Sequence, residues 1–122
     1  MDEQILSREA KIDLFARLVE TLPSAVLKGD TIPYCSINGH MYCYLSKEGE
    51  LALRLPADKR VQFIEQYNTS LMTAYGIVQK EYVVVPDLLL ADIEALKPWF
   101  NASFVHVGLL KPKPTTKKKK KD

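Results

Sequence analysis

Apolar positions recur along this chain at two periods, and the change from one to the other divides it into elements. Ile5, Ile12, Phe15, Val19 and Leu22 form one stripe at helical spacing, which Leu14 and Leu18 widen. Glu3, Lys11, Arg17 and Glu20 are read as lying outside it. A helix is therefore predicted over residues 3–22, stopped by Pro23. Residues 24–30 read as a connector. From Thr31 to Leu55 the period falls to two. Asn38-Gly39 lies between two β-rich runs, the signature of a type I′ turn whose central residues both take φ > 0. Lys47-Glu48-Gly49 turns the chain again into Leu51, Leu53 and Leu55, so three antiparallel strands are predicted.

With Asn38 and Gly39 as the loop, regular alternation sets Cys35 opposite Tyr42 and Tyr34 opposite Cys43. One face then carries Ile32, Tyr34, Ser36, Met41, Cys43 and Leu45, and is predicted to cover the core. The other carries Pro33, Cys35, Ile37, His40, Tyr42 and Tyr44. Pro33 cannot donate to a ladder, so the first strand is an edge there or begins after it. In this register the two cysteines point apart, which excludes a disulfide between them and makes them reduced, buried hydrophobes.

Beyond Pro56-Ala57-Asp58 a second helix is predicted over 58–67, with Val61, Phe63 and Ile64 inward and Asn68-Thr69-Ser70 ending it. Residues 71–75 and 80–85 read as the remaining strands, joined around Gly76. Tyr82-Val83-Val84-Val85 is apolar on both faces, the pattern of a central strand covered twice. Pro86-Asp87 starts a helical turn and Asp92 is a candidate N-cap. Pro98 predicts a break near Leu96-Lys97, with the last helix over 98–109 burying Phe100, Phe104 and Val107. The expected fold class is α+β: an antiparallel sheet of about five strands with an amino-terminal, a middle and carboxy-terminal helices packed on it.

Composition changes this picture only at the carboxy terminus. A 122-residue chain that is 47% hydrophobic and 26% charged supports one core without metal or disulfide. No run approaches the ~20 apolar residues of a membrane span, and no signal peptide opens the sequence, so a cytoplasmic location is expected. The net charge of +2 conceals a split: residues 111–122 hold seven lysines and one aspartate, +6, whereas residues 1–110 hold ten Lys and Arg against fourteen Asp and Glu, −4. Residues 1–110 are therefore read as one domain and 111–122 as a disordered tail. Lys111, Lys113, Lys117, Lys118, Lys119, Lys120 and Lys121 are its candidate contacts to phosphates, weak and independent of sequence.

No constellation for catalysis emerges. The two histidines, His40 and His106, belong to no nucleophile elbow, and Ser103 and His106 are only three apart on one predicted helix. Neither HxxxH, CxxC nor an EF-hand spacing occurs, and five scattered glycines form no phosphate loop. Glu48, Glu50, Asp58 and Glu81 are spread over turns and strand ends. No catalytic, cofactor or metal residue is assigned and no enzyme activity is expected; a pocket around His40, Cys35 and Tyr42 is the enzymatic alternative. Tyr34, Tyr42 and Tyr44 are the residue type that stacks bases, but Arg54 is the basic side chain near them, so they read as half-buried packing.

Several segments together carry a resemblance. They are Asn38-Gly39-His40-Met41-Tyr42, Leu51-Ala52-Leu53-Arg54-Leu55-Pro56, Lys80-Glu81-Tyr82-Val83-Val84-Val85-Pro86, Leu96-Lys97-Pro98-Trp99, Ser103 and Leu110-Lys111-Pro112-Lys113-Pro114. In order and spacing this stretch, about two-thirds of the chain, resembles the TfoX/Sxy amino-terminal domain family of small bacterial proteins. Lys28 to Tyr34 stands where the family has an Arg-x-Met-Phe-Gly-Gly type segment, and the lysine run stands where longer members add a domain suited to nucleic-acid contact. The resemblance implies a compact α+β domain of bacterial origin without a catalytic residue to carry over. The expected function is a non-catalytic binding or regulatory module with a protein partner or with itself. The alternative is weak nucleic-acid binding through the lysine tail.

Overall fold

The Ser7 hydroxyl accepts a hydrogen bond from the Ala10 amide at 3.1 Å and so opens the first helix, α1 (Arg8–Glu20). The structure, a computed structural model, describes residues 6–29, 32–74 and 76–112. The helix thus begins later than periodicity suggests, and Ile5 lies outside the described residues. The strands β1 (Tyr34–Ile37), β2 (His40–Leu45) and β3 (Leu51–Arg54) follow, then α2 (Ala57–Tyr67). Next come β4 (Leu71–Ala74), β5 (Ile77–Val85), the single turn α3 (Asp87–Leu90) and α4 (Ile93–Gly108). The strands form one antiparallel sheet in the order β1-β2-β3-β5-β4. The fold class is α+β.

All the longer helices contribute to one core on one face of this sheet. Phe15 and Leu18 of α1, Phe63 of α2 and Leu96, Phe100 and Val107 of α4 are fully buried against Cys43, Leu45, Leu51, Leu53, Val83 and Val85. Each such side chain stabilises the fold by about 1.5–3 kcal/mol relative to exposure. Asn38 (φ 56°) and Gly39 (φ 80°) make the left-handed turn that the Asn-Gly pair predicts.

Regular alternation fails inside that hairpin. Ile37 faces His40 and Ser36 faces Met41, but Cys35 faces Cys43 and Tyr34 faces Tyr44. Tyr42 is the extra residue of a β-bulge, and a bulge resets which side chains point to which face. The predicted faces are therefore corrected. Cys35 and Tyr42 are fully buried, together with Cys43 and Leu45, while Met41 is exposed and Ile32 and Ser36 are half-buried. The two cysteines share a face, so they do not point apart as regular alternation predicts. Both are free thiols.

Three further expectations are revised. Pro98 does not break the last helix but sits inside α4, because Asp92 starts that helix early by accepting from the Ala95 amide. A proline there costs about 3 kcal/mol, which the complete burial of Leu96 and Phe100 on either side offsets. Val61 is 58% exposed, and α2 buries Phe63 instead, tilted against Tyr67 and edge-on to Trp99. Lys11 is buried: its ammonium donates to the Gly49 carbonyl at 2.6 Å and meets Asp87 Oδ1 at 3.2 Å, tying α1, α3 and the β2–β3 turn together.

Candidate functional site

β5 is an interior strand, between β3 and the edge strand β4, and is covered by helices on one face rather than the predicted two. Its alternate residues Tyr82 and Val84, like Tyr44 of β2, are half-buried on the other face. Along β4 the register slips: Leu71 faces Val83, yet Met72 faces Gln79, so Lys80 to Tyr82 have no partner on β4. Beyond that irregularity, Met72 to Ala74 and Gln79 border the open face. A groove of about 600 Å³ results, with Met72, Thr73, Ala74 and Gln79 on one side, Ile32, Met41 and Tyr44 on the other, and Lys47, Glu48 and Glu50 at the end.

The floor is held by a polar and aromatic set. Tyr44 and Tyr82 meet edge to face, with ring centroids 5.5 Å apart. The Tyr82 hydroxyl donates to the Met41 carbonyl at 2.6 Å, next to the bulge. Burial pushes the Tyr82 phenol up to about 12, against the opposing pull of the Arg54 guanidinium. Arg54 in turn donates from Nε to Glu81 Oε1 at 2.7 Å. The rings are packed on each other, and the nearest cation is bound to a carboxylate. This is not a basic stacking platform for bases.

The candidates from the sequence fall elsewhere. Lys111 is exposed at the end of α4, its carbonyl accepting from the His40 Nε2–H at 2.8 Å. Lys113, Lys117, Lys118, Lys119, Lys120 and Lys121 lie outside the described residues, as does most of the predicted tail. The Asn38 side-chain amide donates to the Gly108 carbonyl at 3.1 Å, so the Asn38-Gly39-His40 turn clamps the last carbonyl of α4 and that of Lys111 just beyond it.

The enzymatic alternative is not brought together. His40 serves that clamp, whereas Cys35 and Tyr42 are sealed in the core, and burial pushes the Cys35 thiol up to about 11. Tyr42 packs on Phe100 and Phe104, and the polar neighbours of its buried hydroxyl are the thiols of Cys35 and Cys43. Ser103 is buried and donates to the Tyr42 carbonyl at 3.4 Å. Among the described residues, no group of three or more His, Cys, Asp or Glu is placed to hold a metal ion, and no helix is long and apolar enough to cross a membrane.

Sequence reasoning missed the groove because its walls meet only through the slip in β4–β5. One signal was legible: Met41, Tyr44 and Tyr82 are large, adaptable or amphipathic side chains that the core does not fully bury. Compared with family models, curated proteins and solved structures, the chain matches none of them.

Proposed function

We propose that this protein is a non-catalytic binding module, of the regulatory kind that its resemblance to the TfoX amino-terminal domain implies, acting in the bacterial cytoplasm. Its site is the groove on the open sheet face, and its occupant is an extended peptide segment of a protein partner. Apolar side chains of that segment lie against Ile32, Met41 and Tyr44, and a lysine or arginine meets Glu48 and Glu50. The observation that carries this reading is the groove itself: a thioether- and tyrosine-lined concavity on the face that the helices leave open. Methionine-rich surfaces suit partners because the thioether repacks at little cost.

Selection of a displayed random-peptide library on the full chain tests it. Enriched peptides are expected to pair apolar residues with a cation and to lose at least about tenfold in affinity to a Met41→Glu variant. A library that yields no binder, or binders indifferent to Met41→Glu, contradicts the reading.

A second reading rests on the charge split, +6 in residues 111–122 against −4 in residues 1–110. It assigns the lysines a weak, salt-dependent attraction to nucleic acid. Titration of a labelled duplex and single strand at two salt concentrations, with the full chain and with a version ending at Leu110, tests it. Binding that salt weakens and truncation abolishes supports this reading, and no binding at low salt removes it.

A further inference from the structure

Cys35 and Cys43 stand opposite each other across β1 and β2, both fully buried and both free. Directly opposed residues of an antiparallel pair have Cα atoms about 4.5–5.5 Å apart and side chains on one face, inside the span that a disulfide bridges. The bulge at Tyr42 creates this juxtaposition, since a regular register would point the thiols apart. We propose that Cys35 and Cys43 are a cross-strand dithiol that closes reversibly into a disulfide, a covalent modification that staples the edge strand to the sheet.

Access comes through β1. This strand is four residues long, lies at the sheet edge and carries on its outer side an isolated bridge between Lys28 and Tyr34. Short edge strands open locally far more often than the whole domain unfolds. Cys35 is the member exposed by such opening, which removes the burial that pushes its thiol up to about 11, whereas Cys43 lies on the inner strand. The oxidant is a low-molecular-weight disulfide. The Cys35 thiolate attacks one of its sulfurs, forming a mixed disulfide and releasing one small thiol. The Cys43 thiolate then attacks Cys35 Sγ and displaces the second small thiol. Two electrons pass from the cysteine pair to the oxidant, and the two cysteine protons end on the released thiols.

The ring so closed contains Asn38 and His40, which hold the carbonyls of Gly108 and Lys111. Its redox state therefore sets how firmly the hairpin tip grips the end of α4.

The test equilibrates the full chain with oxidised and reduced glutathione in graded ratios, natively and during refolding from denaturant. Alkylation quenches each sample before its intact mass is read. The expected product is a monomer lighter by about 2 Da that takes no alkylating reagent, reverts with dithiothreitol and melts higher than the reduced protein. Cys43→Ser and Cys43→Ala are each expected to stop at a glutathione adduct on Cys35. Two thiols that remain alkylatable in the most oxidising buffer, even after refolding in it, overturn the proposal. So does a bond found between two copies instead of within one.

Discussion

The two faces of the sheet are built from interleaved residues of the same strands, yet they differ in what completes them. Cys43, Leu45, Leu51, Leu53, Val83 and Val85 are buried under helices in one continuous core. On the other face Tyr44, Tyr82 and Val84 are only half-buried, and no helix packs over them among the described residues. There the polar ends of large side chains have been satisfied locally: Tyr82 by the Met41 carbonyl, Arg54 by Glu81. The covered face holds the domain together. The open face is shaped without being filled, which is the condition of a surface kept for a partner.

Substitutions on the covered side break that comparison most sharply. Phe100→Ala is expected to cost about 3–5 kcal/mol in chemical denaturation, since the ring is fully buried beneath Tyr42. Lys11→Met is expected to cost about 3 kcal/mol, because it leaves the Asp87 carboxylate at the core edge without its cation. The double variant Lys11→Met with Asp87→Leu recovers part of that loss, and a cycle of the four proteins measures the coupling.

Those two residues also mark how far the sequence could be read. The succession of elements along the chain was inferable in outline, because Asn38-Gly39, Pro86 and Asp92 act through local backbone chemistry that a sequence displays directly. Lys11 was placed on the solvent side because it is charged, although it lies four residues before Phe15 and seven before Leu18, on the buried stripe. Its partners, Gly49 and Asp87, are remote in the chain, so nothing local announced the ion pair. The bulge was hidden for a related reason. Met41-Tyr42-Cys43-Tyr44 is apolar on both faces, and alternation cannot tell which residue is the extra one. The groove depends on a second irregularity, at Leu71/Met72, and was equally out of reach.

On the open side smaller effects are expected. Tyr82→Phe removes the hydroxyl bond to Met41 and should cost about 1 kcal/mol in denaturation. The same residue gives a pH signature. Its phenol is raised from 10.0 to about 12 in the fold, so an unfolded chain releases this proton first. The stability it contributes is complete below about pH 10 and is lost as pH rises through about 12. Stability measured across that window should fall less steeply in Tyr82→Phe than in the parent.

The two faces divide stability from binding. Met41→Glu tests it most directly, because Met41 is exposed and lines the groove without belonging to the core. The measurement is a titration of a library-selected peptide against parent and variant, with denaturation of both proteins alongside. Affinity is expected to fall by at least about tenfold while the denaturation midpoint hardly moves. Unchanged affinity in a folded variant would contradict it.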